Sequence, residues 1–285
     1  MKRRNFLKLC TTAGLGFAAP VGQRYLAGAE EEKAESAPYE GPYYVVLNAS
    51  GGWDTTYMMD PKGVNEINRL YQQGDILTQG NLRFAPTAKQ IDAGMSNEDF
   101  FKKYSNELLV FNGLDYSVNN HSPCSRYMAT GKLDSLEYPT FAALVAACKG
   151  SEAPLAFLTF GQYSGTGNLV PMSRVPYLSS LKRLANADGI DGNPDKFYSD
   201  DFVRDRIETT LKKQRADRES EPRLPRLKRA QSMLYAAQLN SKALKRITPY
   251  IPKSQGKGRL PLQADIALAS FKAGVCVSAN LSIGQ

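Results

Sequence analysis

The residues best suited to chemistry lie in one short stretch, Asn119 to Lys132, which reads NNHSPCSRYMATGK. It holds the only histidine of the chain, His121, followed directly by Ser122 and then by Arg126. An imidazole suits acid–base or metal chemistry, a hydroxyl suits nucleophilic attack, and a guanidinium suits an anionic group. These residue types together indicate a site for a phosphate or sulfate group.

The same stretch has the pattern of a short helix. The spacing predicts a helix over Pro123–Thr130, with Ser122 as its N-cap and Gly131 just past its end. The positive end of that helix would point at His121 and Ser122, with Arg126 one turn along, and this is the arrangement of an anion site. On spacing alone, a capped helix with a surface histidine is the simpler explanation, and both interpretations stay open here.

A second candidate follows the first β-rich run of the chain. Ser50-Gly51-Gly52-Trp53-Asp54 follows Tyr43–Asn48 after one residue, Ala49. The two glycines allow a sharp turn, and the Asp54 carboxylate would lie at the carboxyl end of a strand, where it suits a divalent cation. An aspartate that only forms the turn is the alternative.

Hydrophobic patterning places these stretches in an α/β fold. We predict strands at Tyr43–Asn48, Leu108–Phe111, Leu155–Phe160 and Val275–Ile283. We predict helices at Val64–Gln73, Asn97–Tyr104, Pro139–Lys149, Leu178–Ala187, Asp200–Arg215, Leu224–Ile247 and Leu262–Ala273. Strands that alternate with helices predict a three-layer sandwich around a mostly parallel sheet.

The first residues have the layout of an export signal. A twin arginine, Arg3-Arg4, precedes a mildly apolar run and the small residues Ala27-Gly28-Ala29. We therefore predict a twin-arginine signal peptide over residues 1–29, a linker over 30–42 and a domain over 43–285, with a periplasmic or secreted location. An uncleaved signal would act as a membrane tether.

The charge of the chain comes largely from that signal. The signal carries five basic and no acidic residues, so the net charge falls from +8 to +3 without it. The dense charged stretch Arg204–Arg229 mixes acids with bases, which is typical of a solvated helical face. We therefore expect no nucleic-acid partner. Cys124, Cys148 and Cys276, the cysteines outside the signal, allow at most one internal disulfide.

Two of these motifs together resemble the alkaline phosphatase and sulfatase superfamily. The sulfatase motif has a nucleophile, a proline, Ser-Arg and a final Thr-Gly. With Thr130-Gly131 and Pro123 aligned to it, His121 falls on the nucleophile position. A shift by one residue aligns Ser125-Arg126 instead and makes Ser122 the nucleophile. Neither register reproduces the full motif, so we expect no formylglycine.

The whole chain resembles more closely the exported domain of unknown function 1501 family, placed beside those hydrolases. The resemblance rests on the twin-arginine signal, GGWD, Asp60-Pro61, ELLVFNGL, the N-H-S helix and AGVCVSANLSIGQ. It implies an alkaline phosphatase-like fold and a divalent metal such as zinc, held here by Asp54 and His121. In that family an Asp-Thr-His segment follows the last of these motifs and supplies further ligands. We therefore expect this chain to be a shortened form, inactive by itself.

Two functions remain after these observations. The first is an exported hydrolase of phosphate or sulfate esters, in which Arg126 orients a small anionic ester and His121 or Ser122 occupies the nucleophile position. The second is a non-catalytic periplasmic protein that keeps the hydrolase fold to bind a partner or serve a structural role.

Overall fold

The structure is a computed structural model that describes residues 37–50, 56–64, 69–87, 94–133, 137–161, 163–220, 224, 227, 241–254 and 256–284. The strands are β1 Tyr44–Ser50, β2 Leu77–Gln79, β3 Leu82–Phe84, β4 Phe157–Thr159, β5 Met172–Ser173 and β6 Ser278–Gly284. The α-helices are α1 Asn97–Tyr104, α2 His121–Thr130, α3 Phe141–Gly150, α4 Leu178–Ala185, α5 Asp201–Ser220, α6 Ser241–Leu244 and α7 Arg259–Lys272. Short 3-10 helices lie at Gln73–Asp75, Ser105–Glu107, Ile190–Gly192 and Lys245–Tyr250.

The central sheet has four strands in the order β1-β6-β4-β5. Strand β4 pairs in parallel with β6, with Phe157 opposite Ser278 and Thr159 opposite Asn280. It also pairs in parallel with β5, with Phe157 opposite Met172. The α/β class and the mostly parallel sheet predicted from the sequence are therefore confirmed.

Helices cover both faces of this sheet. The neighbouring residues Phe157 and Leu158 are both fully buried, and they belong to different core clusters because successive strand residues point to opposite faces. Phe157 lies with the alanines of α3, whereas Leu158 lies with apolar residues of α4 and α7. This arrangement is compatible with the expected three-layer sandwich.

The chain divides into two compact units. The larger unit, with residues up to Asn48 and from Ser125 to Ile283, contains β4, β5 and most of β6. The smaller unit runs mainly from Ala49 to Cys124 and contains the antiparallel hairpin of β2 and β3. Helix α1 of this unit begins after its N-cap Ser96, and its Phe101 ring stacks on Phe84 of β3 at 4.2 Å.

The structure corrects the prediction of a buried strand at Leu108–Phe111. This segment is not a strand, and the side chains of Leu109 and Phe111 are 78% and 70% exposed. A run of β-formers specifies a strand only where a neighbouring strand pairs with it. None pairs with this segment among the described residues.

Two other predictions differ from the structure. Of the predicted helix Val64–Gln73, residues 65–68 lie outside the described residues, and residues 69–72 are not helical. Gln72 is extended instead and begins a 3-10 turn, because its N–H donates to the Asp75 carboxylate at 2.8 Å. Most of the predicted helix Leu224–Ile247 also lies outside the described residues.

The remaining helices are confirmed with small shifts of their ends. Helix α3 begins at Phe141 rather than at Pro139, because the hydroxyl of Thr140 caps it by accepting a hydrogen bond from the amide of Ala143. In the part of the chain that the structure describes, no helix is long and apolar enough to cross a bilayer.

Candidate functional site

Helix α2 carries the sequence-predicted pair His121 and Ser122 on its first turn. It begins two residues before the predicted start, and Ser122 is its second residue rather than its N-cap. Asn120 provides the cap: its side-chain Oδ1 accepts from the Ser122 amide at 3.2 Å and its carbonyl accepts from the Cys124 amide at 3.1 Å. Asparagine is at least as good an N-cap as serine, which explains the earlier start.

Because Asn120 caps the helix, the imidazole of His121 and the hydroxyl of Ser122 remain accessible. The His121 and Ser122 side chains are exposed, and neither makes a hydrogen bond to the described residues. A serine hydroxyl needs an adjacent base to become a good nucleophile, and no such base is bonded to Ser122 within the described ranges. The exposed imidazole and hydroxyl, at the positive end of a helix, can nevertheless meet an anionic group.

Arg126 makes its described hydrogen bond away from this first turn. Its Nη1 donates to the carbonyl oxygen of Leu133 at 3.2 Å, and Leu133 follows the end of the helix. Its Nε is buried and has no partner among the described residues. The guanidinium therefore braces the segment after α2 in this structure, and it would have to leave Leu133 to orient an ester near His121.

The Thr-Gly pair that carries the family resemblance closes helix α2. The Thr130 hydroxyl lies 2.8 Å from the Arg126 carbonyl oxygen, to which it donates, and it accepts from the Lys132 amide at 3.1 Å. Gly131 has a φ of +66°, which favours glycine, and its amide donates to the Tyr127 carbonyl. The spacing between the nucleophile position and Thr-Gly is thus the length of one helix.

The predicted metal ligand Asp54 lies outside the described residues. Within the described ranges, no three His, Cys, Asp or Glu side chains come together as a metal group would require. The described residues supply one predicted metal donor, the imidazole of His121.

A second polar cluster, which sequence reasoning missed, lies beside the carboxyl ends of β4 and β5 and includes a residue of the neighbouring parallel strand β6 that is paired with the end of β4. Thr159 ends β4, and its hydroxyl lies 2.8 Å from that of Ser164 and accepts from the Gly161 amide at 3.3 Å. Arg174 directly follows β5, and its Nη2 donates to the Ser164 hydroxyl at 3.3 Å. The fifth member, Asn280 of β6, donates from Nδ2 to the Tyr163 carbonyl at 3.3 Å.

One sequence signal marked part of this cluster. The glycine-rich loop after the third predicted strand, GQYSGTGN, contains Gly161 and Ser164. The participation of Arg174 and Asn280 depends on the strand order, which a single sequence does not show.

Burial distinguishes the three cysteines outside the predicted signal. None of the three forms a disulfide among the described residues. Burial raises the pKa of the Cys276 thiol to about 12, so this thiol stays protonated at neutral pH and is a poor nucleophile. Cys148 is exposed and Cys124 is half-buried.

Comparison with known proteins gives no family for this chain. No family model, curated protein or solved structure matches it.

Proposed function

We propose that this protein is an exported hydrolase-type protein related to the metal-dependent enzymes that cleave phosphate and sulfate esters, with an alkaline phosphatase-like fold. The domain of unknown function 1501 family is the proposed relative. The mostly parallel α/β sheet supports this proposal without distinguishing it from other sandwiches of the same class.

One observation carries the proposal. His121 and Ser122, the two residues that the motif alignment offers as the nucleophile position, are exposed on the first turn of α2. The other end of the helix is closed by Thr130 and Gly131, the Thr-Gly of the motif. Asn120 accepts from the amides of Ser122 and Cys124, and Pro123 has no N–H, so the contribution of the turn is its partial positive charge, which favours an anionic ester over a neutral one.

In this proposal His121 or Ser122 meets the phosphorus or sulfur centre, and Arg126 orients the ester after leaving Leu133. Asp54 and His121 are the proposed donors to a divalent metal such as zinc. When bound, zinc would supply Lewis-acid stabilisation of the developing charge. No group of three such donors lies together among the described residues.

Turnover and metal content test the enzyme class. The full-length gene product, purified with zinc in the medium, is assayed on aryl phosphate and aryl sulfate. The proposal predicts roughly one or two equivalents of metal per chain and turnover that chelation and Asp54→Ala both abolish. Asp75→Ala, which removes an exposed carboxylate in a 3-10 turn, is the matched control and should retain both. A folded, metal-free and inert protein would sink the hydrolase proposal.

The proposed location has its own test. Replacement of Arg3-Arg4 by two lysines should keep the protein in the cytoplasm, whereas Arg24→Lys, which lies outside the twin-arginine motif, should leave export unchanged. Cell fractionation measures both. Normal export of the double-lysine variant would contradict the twin-arginine route.

The second candidate is a non-catalytic exported protein that keeps the fold to bind a partner. The observation that favours it is the position of Arg126, which is engaged with the Leu133 carbonyl rather than directed at an ester. An inert but folded full-length gene product would support this candidate.

A further inference from the structure

The polar cluster beside the carboxyl ends of β4 and β5, to which β6 adds Asn280, has the position of a ligand site. In open sheets with parallel strands, ligands bind where the strands end. Each of the three neighbouring strands contributes to this cluster: β6 contributes Asn280, β4 and its loop contribute Thr159, Gly161 and Ser164, and β5 is followed by Arg174.

The hydroxyls of this cluster are fully used within the protein. The Gly161 amide donates to Thr159 Oγ1, which lies 2.8 Å from Ser164 Oγ, and the Ser164 hydroxyl reaches the Gly161 carbonyl at 3.2 Å. These three contacts form a closed ring of hydrogen bonds among Thr159, Gly161 and Ser164. The groups that can still bind a ligand lie beside this ring.

One of those groups is the carbonyl oxygen of the Asn280 side chain. Asn280 is 6% exposed, and its Oδ1 has no hydrogen-bond partner among the described residues, although its Nδ2 donates to Tyr163. A buried acceptor without a donor costs about 1–3 kcal/mol, so a ligand that brings a donor to this oxygen would remove that cost. A Cβ on Gly161 would come within 3.0 Å of the Asn280 amide nitrogen, which shows how closely the amide packs on that residue.

The other group is the guanidinium of Arg174. Its two described hydrogen bonds both come from Nη2, to the Ser164 hydroxyl at 3.3 Å and to the Gly161 carbonyl at 3.5 Å. The side chain is exposed, and a guanidinium has five N–H donors, so several remain for an anion. Both Arg174 contacts are long, which makes this the member of the cluster that can move aside to admit a ligand.

A cationic hydrogen-bond donor, Arg174, and a buried hydrogen-bond acceptor, Asn280 Oδ1, both lie beside Gly161 and together select for a ligand with an unusual combination of groups. Arg174 favours an oxyanion, whereas Asn280 Oδ1 requires that the ligand carry a hydrogen-bond donor. Hydrogen phosphate offers both, since it keeps a P–OH group near neutral pH. Sulfate has the same shape and charge but no proton there.

We propose that the cluster of Thr159, Ser164, Arg174 and Asn280, beside the carboxyl ends of β4 and β5, binds a protonated oxyanion, hydrogen phosphate, with Arg174 on its charged oxygens and Asn280 Oδ1 accepting from its hydroxyl. This site is separate from His121 and Ser122. It does not depend on the hydrolase proposal, because binding without turnover would support it.

Isothermal titration of the full chain with inorganic phosphate and with sulfate, near neutral pH, tests the site. We expect saturable phosphate binding that is at least about tenfold tighter than sulfate binding, because one charge-assisted hydrogen bond is missing for sulfate. This comparison of phosphate with sulfate uses the wild-type protein, so it does not depend on whether a variant folds. Equal affinities, or no saturable phosphate binding, would overturn the proposal.

Two variants assign the roles. Arg174→Gln should weaken phosphate binding about tenfold or more. The control is Arg183→Gln, which removes an exposed arginine of α4 that pairs with Asp191, and it should leave phosphate binding unchanged. Asn280→Leu should bring phosphate and sulfate to equal affinity. Circular dichroism checks that each variant is folded. If Asn280→Leu does not fold, the Arg174 comparison decides, and wild-type affinity in Arg174→Gln would contradict the site.

Discussion

The residue that caps α2 decides which side chains of its first turn are exposed. Asn120, rather than Ser122, caps α2, and this leaves the Ser122 hydroxyl exposed beside His121. Residue types in NNHSPCSRYMATGK predicted a helix and an anion-binding first turn, but they did not predict which residue caps it. Two good N-cap types lie two residues apart, and sequence alone does not choose between them.

The three thiols should differ in reactivity. Treatment of the native protein with iodoacetamide at neutral pH, followed by peptide mass spectrometry, should label Cys148 first and leave Cys276 unlabelled until the protein is unfolded. The reason is that Cys276 is buried and its pKa is raised to about 12, so its thiolate is scarce. Denaturant is the control that makes every thiol reactive. Labelling of Cys276 at the rate of Cys148 in the native state would contradict this description.

Glu98 should make the smaller unit sensitive to acid. A hydrogen bond from the Thr87 hydroxyl holds the pKa of the Glu98 carboxyl below its ordinary value. The ionised Glu98 carboxylate therefore contributes to the stability of the folded unit above the ordinary glutamate pKa of 4.5. This contribution is lost as the pH falls through the lower pKa that Glu98 has in the folded state. Thr87→Val should raise the pKa of Glu98 toward 4.5 in an NMR titration of the carboxyl carbon.

The control for that titration is Thr78→Val, which changes an exposed threonine on β2 in the same unit. It should leave the pKa of Glu98 in place. An unchanged pKa in Thr87→Val would show that another group holds the carboxylate.

At the scale of elements, apolar periodicity predicted α1, α4, α7 and β4 because each buries a face against its neighbours. It did not predict the β2–β3 hairpin, although the two-residue Gly80-Asn81 turn is a recognised hairpin signal. The strand predicted at Leu108–Phe111 was wrong for a different reason. Its composition suits a strand, but no neighbouring strand pairs with it among the described residues. The cluster around Asn280 could not be predicted because it requires the order of three strands.

Strand β6 is stabilised by a side chain where its strand neighbour stops. Strand β4 ends opposite Asn280, and two residues further Gln263 of α7 takes over: its Oε1 accepts from the Ser282 amide at 2.8 Å and its Nε2 donates to the Ser282 carbonyl at 3.0 Å. Both residues are 3% exposed. The Gln263 amide thus replaces a paired strand for one residue.

Gln263→Leu should therefore lower the free energy of unfolding by about 2–4 kcal/mol, because it leaves a buried N–H and a buried C=O unpaired. Urea denaturation measures the change. Leu268→Ala, on the 54% exposed part of the same helix, is the control and should stay within about 0.5 kcal/mol of the wild type. A Gln263→Leu variant as stable as the control would show that the Ser282 backbone finds other partners.

At the scale of the whole molecule, the sequence accounts for the sheet better than for the site. The alternation of strands and helices led directly to the α/β class and the mostly parallel sheet. The proposed metal site depends on groups far apart in the sequence: Asp54 follows β1 and lies outside the described residues, whereas His121 begins α2. Spacing within one helix can be predicted from the sequence, whereas the distance between two such segments cannot.

The most direct test of the central claim is the turnover of aryl phosphate by the zinc-loaded full-length gene product carrying His121→Ala or Ser122→Ala. The account predicts that at least one of these variants loses about 100-fold or more in kcat/KM, since each is a candidate for the nucleophile position. Met128→Ala, an exposed change on the same helix, should keep wild-type activity. Wild-type turnover in both His121→Ala and Ser122→Ala would contradict the claim that the first turn of α2 meets the reacting ester.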